Sequence, residues 1–146
     1  MLTIQPFSPN YQDPAHRLIL SGLEEHWGWI DENLNPDLKN IAASYASGHF
    51  VIGLIGNSLA ATGALIPEDN ESKRIVRMSV ALPHRRKGFG KQILNHLVNL
   101  ARQMQTGKIV LETTETWYDV ISFYRAYGFK VQHHQDGNVH MSMEVF

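Results

Sequence analysis

The chain has no cysteine in any of its 146 residues. That absence excludes disulfides, a thiol nucleophile, cysteine-ligated zinc and cysteine lipidation, and with the thiol goes any thioester formed on the protein itself. Long apolar runs are also missing. None approaches the roughly 18 residues of a spanning helix, and no basic region precedes an apolar stretch at Met1-Leu2-Thr3-Ile4. A soluble, cytoplasmic protein with no membrane partner is therefore expected. Net charge is almost nil: 13 basic and 14 acidic side chains leave a formal charge of −1. No global field draws such a chain onto nucleic acid or anionic lipid, so any anion site must be local.

What is present suits a single domain over residues 1–146. With 43% hydrophobic and 18% charged residues, a chain of this length buries roughly 70% of its unfolded surface in one core. The balanced total conceals a partition. Residues 72–111 hold nine Lys or Arg and no acid, whereas residues 1–71 hold nine acids against only Arg17 and Lys39. A basic centre beside an acidic N-terminal half suggests one surface for an anion and another that tolerates a cation.

Periodicity supplies the elements. Residues 2–7 read as a short strand. Residues 13–26 read as a helix, with Asp13-Pro14 as N-cap and first-turn proline and Leu18, Ile19 and Leu23 at helical spacing. A second helix starts at Asn35-Pro36-Asp37, places Leu38, Ile41, Ala42 and Tyr45 on one face and closes at Gly48. Two apolar runs, 50–55 and 59–66, flank Gly56-Asn57-Ser58 as a hairpin, and 74–82 forms a third strand. The clearest helix is 89–104, where Ile93, Leu94, Leu97, Val98, Ala101 and Met104 repeat at three and four. A buried strand at 108–113, a short helix at 119–127 stopped by Gly128, and a closing hairpin of 129–134 and 139–145 complete the order β-α-α-β-β-β-α-β-α-β-β. The expected fold class is a mixed, mostly antiparallel α/β sheet of six to seven strands with about four helices.

Chemistry concentrates where the third strand ends and the strong helix begins, at Val80-Ala81-Leu82-Pro83-His84-Arg85-Arg86-Lys87-Gly88-Phe89-Gly90-Lys91. The first turn of a helix presents unpaired N–H groups and the positive end of its dipole, and glycines let phosphate oxygens come close to the backbone. A Walker loop would need glycine at Arg85 and Ser or Thr at Gln92, and a dinucleotide fingerprint would need glycine at Ile93. Both fail. Arg-x-x-Gly-x-Gly between strand and helix remains, followed by Tyr124-x-x-x-Gly128-Phe129 at the end of a short helix.

On these residues the chain resembles the GNAT superfamily of acyl-CoA-dependent N-acyltransferases, and the likeness covers nearly its whole length. Arg85-Arg86-Lys87-Gly88-Phe89-Gly90 looks like the family's pyrophosphate loop, Met78-Ser79-Val80 like the strand end that pairs with the pantetheine arm, and Tyr124 like the acid tyrosine. The resemblance implies that acetyl-CoA is the cosubstrate, with backbone amides from about Arg86 to Lys91 holding its diphosphate. It also implies a splay between the strands ending near Val80 and Thr113, and the thioester would lie in that gap. Where the family often has asparagine, seven residues before the tyrosine, this chain has Trp117. An indole N–H replaces a donor but not an amide acceptor, so Trp117 either contacts the cosubstrate or lines the acceptor pocket.

Without a thiol, direct attack of a neutral amine on the thioester is the economical route. It needs loss of the amine proton, an oxyanion donor and a proton for the thiolate. A strand-end N–H near Val80 and the Tyr124 hydroxyl fit the last two needs. Glu112 is the leading base candidate, a carboxylate in an apolar strand where burial would raise its pKa. The alternative that it faces solvent or pairs with a nearby arginine stays open, as do Glu24 and Glu25. Trp27 and Trp29, amid Glu24, Glu25, Asp31 and Glu32, are candidates for binding an alkylammonium acceptor. His133, His134 and His140 flank the last hairpin and read as strand residues without a metal, and His84 stands beside the basic run. The expected acceptor is an amine-bearing small molecule or peptide, with a homodimer left open. The competing readings are a non-catalytic CoA-binding or sensory module and, less well supported by the near-neutral charge, a nucleic-acid binder using residues 85–87.

Overall fold

A computed structural model of the chain describes residues 1–29 and 32–146. Its seven strands are β1 (Thr3–Pro6), β2 (His49–Ile55), β3 (Ser58–Pro67), β4 (Ser72–Val80), β5 (Lys108–Thr114), β6 (Lys130–Gln135) and β7 (Asn138–Glu144). The helices are α1 (Gln12–Trp27), α2 (Ile41–Ser44), α3 (Phe89–Gln103) and α4 (Tyr118–Tyr127). The strands form one sheet in the order β1-β2-β3-β4-β5-β7-β6, and every pairing is antiparallel except β4 with β5. The expected element order is met throughout.

Amphipathic patterning sorts the helices onto the two faces. Ile93, Leu94, Leu97, Val98 and Ala101 of α3 are essentially solvent-free and pack with Leu65, Ile75, Ile109 and Leu111, while Tyr124 and Phe129 extend this core from α4. Each such aliphatic side chain contributes about 1.5–3 kcal/mol of burial. The opposite face is covered by α1 and α2 through Ala15, Ile19 and Ile41, seated on Phe50, Ile52 and Ala64. Met104 departs from the expected stripe: α3 ends at Gln103 and Met104, its C-cap, is 41% exposed.

Two local expectations are corrected. Asp13 is not the cap of α1, because the helix begins one residue earlier and Tyr11 occupies the cap position without a side-chain bond. The second helix is broken in two, a 3-10 turn at Pro36–Lys39 and the single turn α2. Asn40 interrupts it with extended backbone, and its side chain accepts the Ala43 N–H at 3.1 Å, the familiar competition of asparagine with helix continuation.

The feature that shapes the centre is an extra residue in β4. Ala64 pairs with Val76 but Thr62 pairs with Ser79, so three steps along β4 match two along β3. Within this bulge Arg77 takes a left-handed φ of 57°, and its carbonyl accepts the Thr62 hydroxyl at 2.8 Å. A bulge bends its strand and ends regular pairing. On the other side β4 meets β5 only at Ser72, Lys73 and Arg74, after which the two parallel strands separate.

The conformation is anchored by charge. Arg77 Nη2 and Nε donate to Asp37 at 2.7 and 3.0 Å, Nη2 also reaches Asn35 Oδ1 at 3.1 Å, and the Tyr45 hydroxyl donates to Asp37 at 2.5 Å. Burial opposes ionisation of Asp37, but the hydrogen bonds from Arg77 and Tyr45 prevail and hold its carboxyl below the ordinary value. Burial first, and the bond to Asp37 second, push the Tyr45 hydroxyl up to about 12. Because the Asp37 value is depressed in the folded state, its contribution to stability is complete above the unfolded carboxyl range and is lost as pH falls through the folded one. Asp37→Asn should cost about 2 kcal/mol, less than for a fully buried pair because both side chains keep some solvent. Denaturant titrations at pH 7 and pH 3 should show the difference between wild type and variant shrinking at the lower pH.

Candidate active site

Where β4 and β5 part, a cavity of about 930 Å³ opens through the sheet. One wall is α1 with Ile19, Gly22 and Leu23, and the other is α4 with Val120, Phe123 and Tyr124. The N-terminus of α3 closes one end, and Asp37, Tyr45 and Arg77 close the other. The cavity therefore reaches both faces of the sheet.

The end at α3 is built for an anion. Gln92 N–H donates to Gly88 O at 3.1 Å as the first bond of the helix, and no side chain caps it. The N–H groups of Phe89, Gly90 and Lys91 thus begin α3 without intrahelical acceptors. Arg86 and Gly88 hold φ of 62° and 79°, left-handed positions of the kind that let successive N–H groups converge on one oxyanion. For Arg86 that conformation costs of order 1 kcal/mol, strain of the sort that collects at functional loops. A Cβ on Gly88 would meet nothing within 4 Å, whereas one on Gly90 would point between Val80 and Phe123, at 3.6 and 3.7 Å, into the groove. Gly90 therefore keeps the groove open, and Gly88 supplies the turn.

Most of the candidate binding residues come together on this cavity: Met78, Ser79 and Val80 from β4, Arg85, Arg86, Gly88, Phe89, Gly90 and Lys91 from the loop and helix, and Trp117. Lys87 is exposed and lies off the cavity wall. Arg85 is engaged away from the helix amides. Its Nε donates to Val80 O at 3.0 Å, and its Nη1 donates to Glu25 Oε1, which lowers the Glu25 pKa. That guanidinium links the end of α1 to the mouth of the cleft. Ala81 N–H donates to Ala60 O on β3 at 2.8 Å, so the alternation of a strand turns the Val80 N–H the other way, to the unpaired side where β4 and β5 have separated.

Tyr124 is 6% exposed and its ring is held edge-on by Phe123 and Phe129 at 5.1 and 5.6 Å. Gly128 and Phe129 N–H both donate to the Tyr124 carbonyl, at 3.2 and 3.0 Å, which explains the motif's spacing: the helix stop folds back on the tyrosine's own turn. Burial pushes the phenol above its ordinary value, and the side chain lines the cavity. Glu112 also lines the cavity, but its environment is not the apolar one expected. The side chain is 45% exposed, and Oε2 lies 3.3 Å from His140 Nε2 on the neighbouring strand β7. Its partner is a histidine and not one of the arginines.

At the far side, Trp117 packs against the His26 ring, with centroids 4.3 Å apart and planes inclined by 34°, and meets Trp27 at 5.5 Å, so its indole faces the end of α1. Trp29 is 58% exposed and lies outside that cluster. Asp31 and the side chain of Glu32 fall outside the described residues. His84 contacts the Phe89 ring at 6.1 Å. Sequence reasoning missed Asp37, Tyr45 and Arg77 as cavity residues. Arg77 lies 40 positions from Asp37, and only the bulge, invisible in hydrophobic alternation, brings them together. Among the described residues no group of three or more His, Asp or Glu is placed to hold a metal, and no helix is long and apolar enough to cross a membrane.

Comparison with known proteins supplies the family. The curated relatives include N-acetyltransferase 8F1 of Rattus norvegicus, 29% identical over 66% of this chain and 47% of its own length, and N-acetyltransferase 8B of Homo sapiens, 24% identical over 70% and 48%. The chain thus spans about half the length of the curated relatives it matches. Among solved structures, an acetyltransferase of the GNAT family from Staphylococcus aureus Mu50 superposes with a TM-score of 0.91 at 22% identity over the whole of both chains. The PaiA N-acetyltransferase of Thermoplasma acidophilum in complex with coenzyme A superposes at 0.86, with 14% identity over 99% of each chain. A sequence profile described as Acetyltransferase (GNAT) family matches residues 9–129, and on that match, in agreement with the splayed sheet, the chain belongs to the GNAT acetyltransferase family.

Proposed function

We propose that residues 1–146 form one catalytic domain that transfers an acetyl group from acetyl-CoA to a primary amine of a small molecule or peptide by direct attack. The observation that carries this reading is the parting of β4 from β5 directly beneath the uncapped N-terminus of α3. It offers a place for a diphosphate at one end and a channel for an extended arm leading from it. GNAT structures with coenzyme A or acetyl-CoA bound, from Thermoplasma acidophilum and Elizabethkingia anophelis, share the fold and support this choice of cosubstrate.

In this reading the amides of residues 86–91 hold the diphosphate, with Arg86 and Lys91 adding charge, and Met78, Ser79 and Val80 pair with the arm. The Val80 N–H points to the unpaired side of β4 and donates to the developing oxyanion, the position where one well-placed donor is worth several kcal/mol. Tyr124 is the acid. Raised by burial, its phenol is held protonated, so it arrives as a donor. The same burial makes full ionisation costly, so a strong hydrogen bond to the departing thiolate is as important as completed proton transfer. Glu112, wet and in reach of the cleft, takes the amine proton. The acceptor comes in from the α1 side, past the His26, Trp27 and Trp117 rings, whose faces suit an alkylammonium group. The protein works in the cytoplasm.

Thiol release from acetyl-CoA, measured against a panel of amines, amino acids and peptides, should show turnover. Tight acetyl-CoA binding with no turnover across the panel would favour a non-catalytic module. Tyr124→Phe should lower kcat about 100-fold and leave the KM for acetyl-CoA within about twofold. Gly90→Ala separates stability from binding. The added methyl meets neighbours at ordinary contact distance and favours the helix, so the melting temperature should rise by about 1–3 °C. The same methyl narrows the groove, and KM for acetyl-CoA should rise at least fivefold.

A further inference from the structure

Three strands bring Glu112, His140 and His133 into one row on the sheet face that carries the α1 wall of the cleft. Glu112 on β5 pairs with His140 on β7, and His140 pairs with His133 on β6. The register shift between Val131 and His133 is what places His133 opposite His140. The contacts are specific: Glu112 Oε2 to His140 Nε2 is 3.3 Å, and the two imidazoles stack in parallel, with centroids 4.3 Å and planes 10° apart. The row runs from the cavity wall to solvent. Glu112 lines the cavity, the His140 side chain is 24% exposed, and His133 is exposed.

We propose that His140 is a positioning residue for Glu112, its Nε2–H donating to Oε2 so that Oε1 is left for the amine proton, an inference that rests on the reading of Glu112 as the base. The amine N–H bond breaks as an O–H bond forms on Glu112 Oε1, and that proton then leaves to solvent, which reaches the half-exposed carboxyl. The stacked His133 ring fixes the plane of His140 so that Nε2 faces the carboxylate.

Other charges around the row are accounted for. From β4, Arg74 acts on Glu112 through space while its guanidinium is held by Glu68 at 2.9 Å. On β6, Lys130 pairs with Ser142, two residues along β7 from His140. His134 is occupied separately by Glu115 at 3.8 Å.

The test compares kcat at saturating acceptor in two variants of His140. His140→Leu removes the donor and should lower kcat about tenfold, with KM for acetyl-CoA and the melting temperature unchanged. His140→Gln keeps an amide N–H for Glu112 and should recover kcat to within about threefold of wild type. His134→Gln, outside the row, should match wild type. Wild-type kcat in His140→Leu, or no recovery in His140→Gln, with kcat still lost in Glu112→Gln, overturns this inference alone. Wild-type kcat in Glu112→Gln overturns the base assignment and this inference with it.

Discussion

The centre of this molecule depends on a strand pairing that stops early. Parallel β4 and β5 share only three register positions before they diverge, and the divergence is held open from behind by Arg77. That residue sits in a backbone conformation rare for a long side chain, and it stays there because Asp37, Asn35 and Tyr45 receive its guanidinium or support the carboxylate that does. Arg77, Asp37 and Tyr45 also line the cavity that opens where the strands part.

The two ends of the cavity differ in how they carry charge. At the α3 end, positive potential comes from backbone dipoles and unpaired amides, which cost no side-chain entropy and do not titrate. At the opposite end, charge is carried by side chains that neutralise one another, Arg77 with Asp37. An anion is favoured at one end without a strong field at the other.

Much of this was legible in the sequence, for physical reasons that can be named. The α3 stripe and the Gly56-Asn57 turn follow from side-chain periodicity and backbone preference, which are local. The candidate anion loop was readable because a strand, a glycine pair and a helix start sit within a dozen residues. Local patterns fail where tertiary contacts decide. Asn40 broke a helix that Leu38, Ile41 and Tyr45 seemed to define, since its side chain satisfied a backbone donor as well as another helical turn would have. Arg77 read as an ordinary strand residue because alternation does not register an inserted one. Glu112 was expected in an apolar setting from its neighbours Val110 and Leu111, yet its face of β5 is wet and looks across at His140. Partnership across strands is set by register, and register between distant segments leaves no trace in either alone.

Beyond His133 the sheet ends in β6, whose six residues are all exposed and whose outer side pairs with no strand among the described residues. An unfinished rim of this kind is an invitation to lateral growth by further chains. Its composition declines that invitation: Lys130, Gln132, His133, His134 and Gln135 leave Val131 as the single aliphatic in the strand. A second polypeptide docking edge to edge would gain backbone hydrogen bonds but would have to bring together solvated amides, imidazoles and an ammonium with no greasy ladder in return. The fold can therefore leave its last strand bare without recruiting unwanted neighbours.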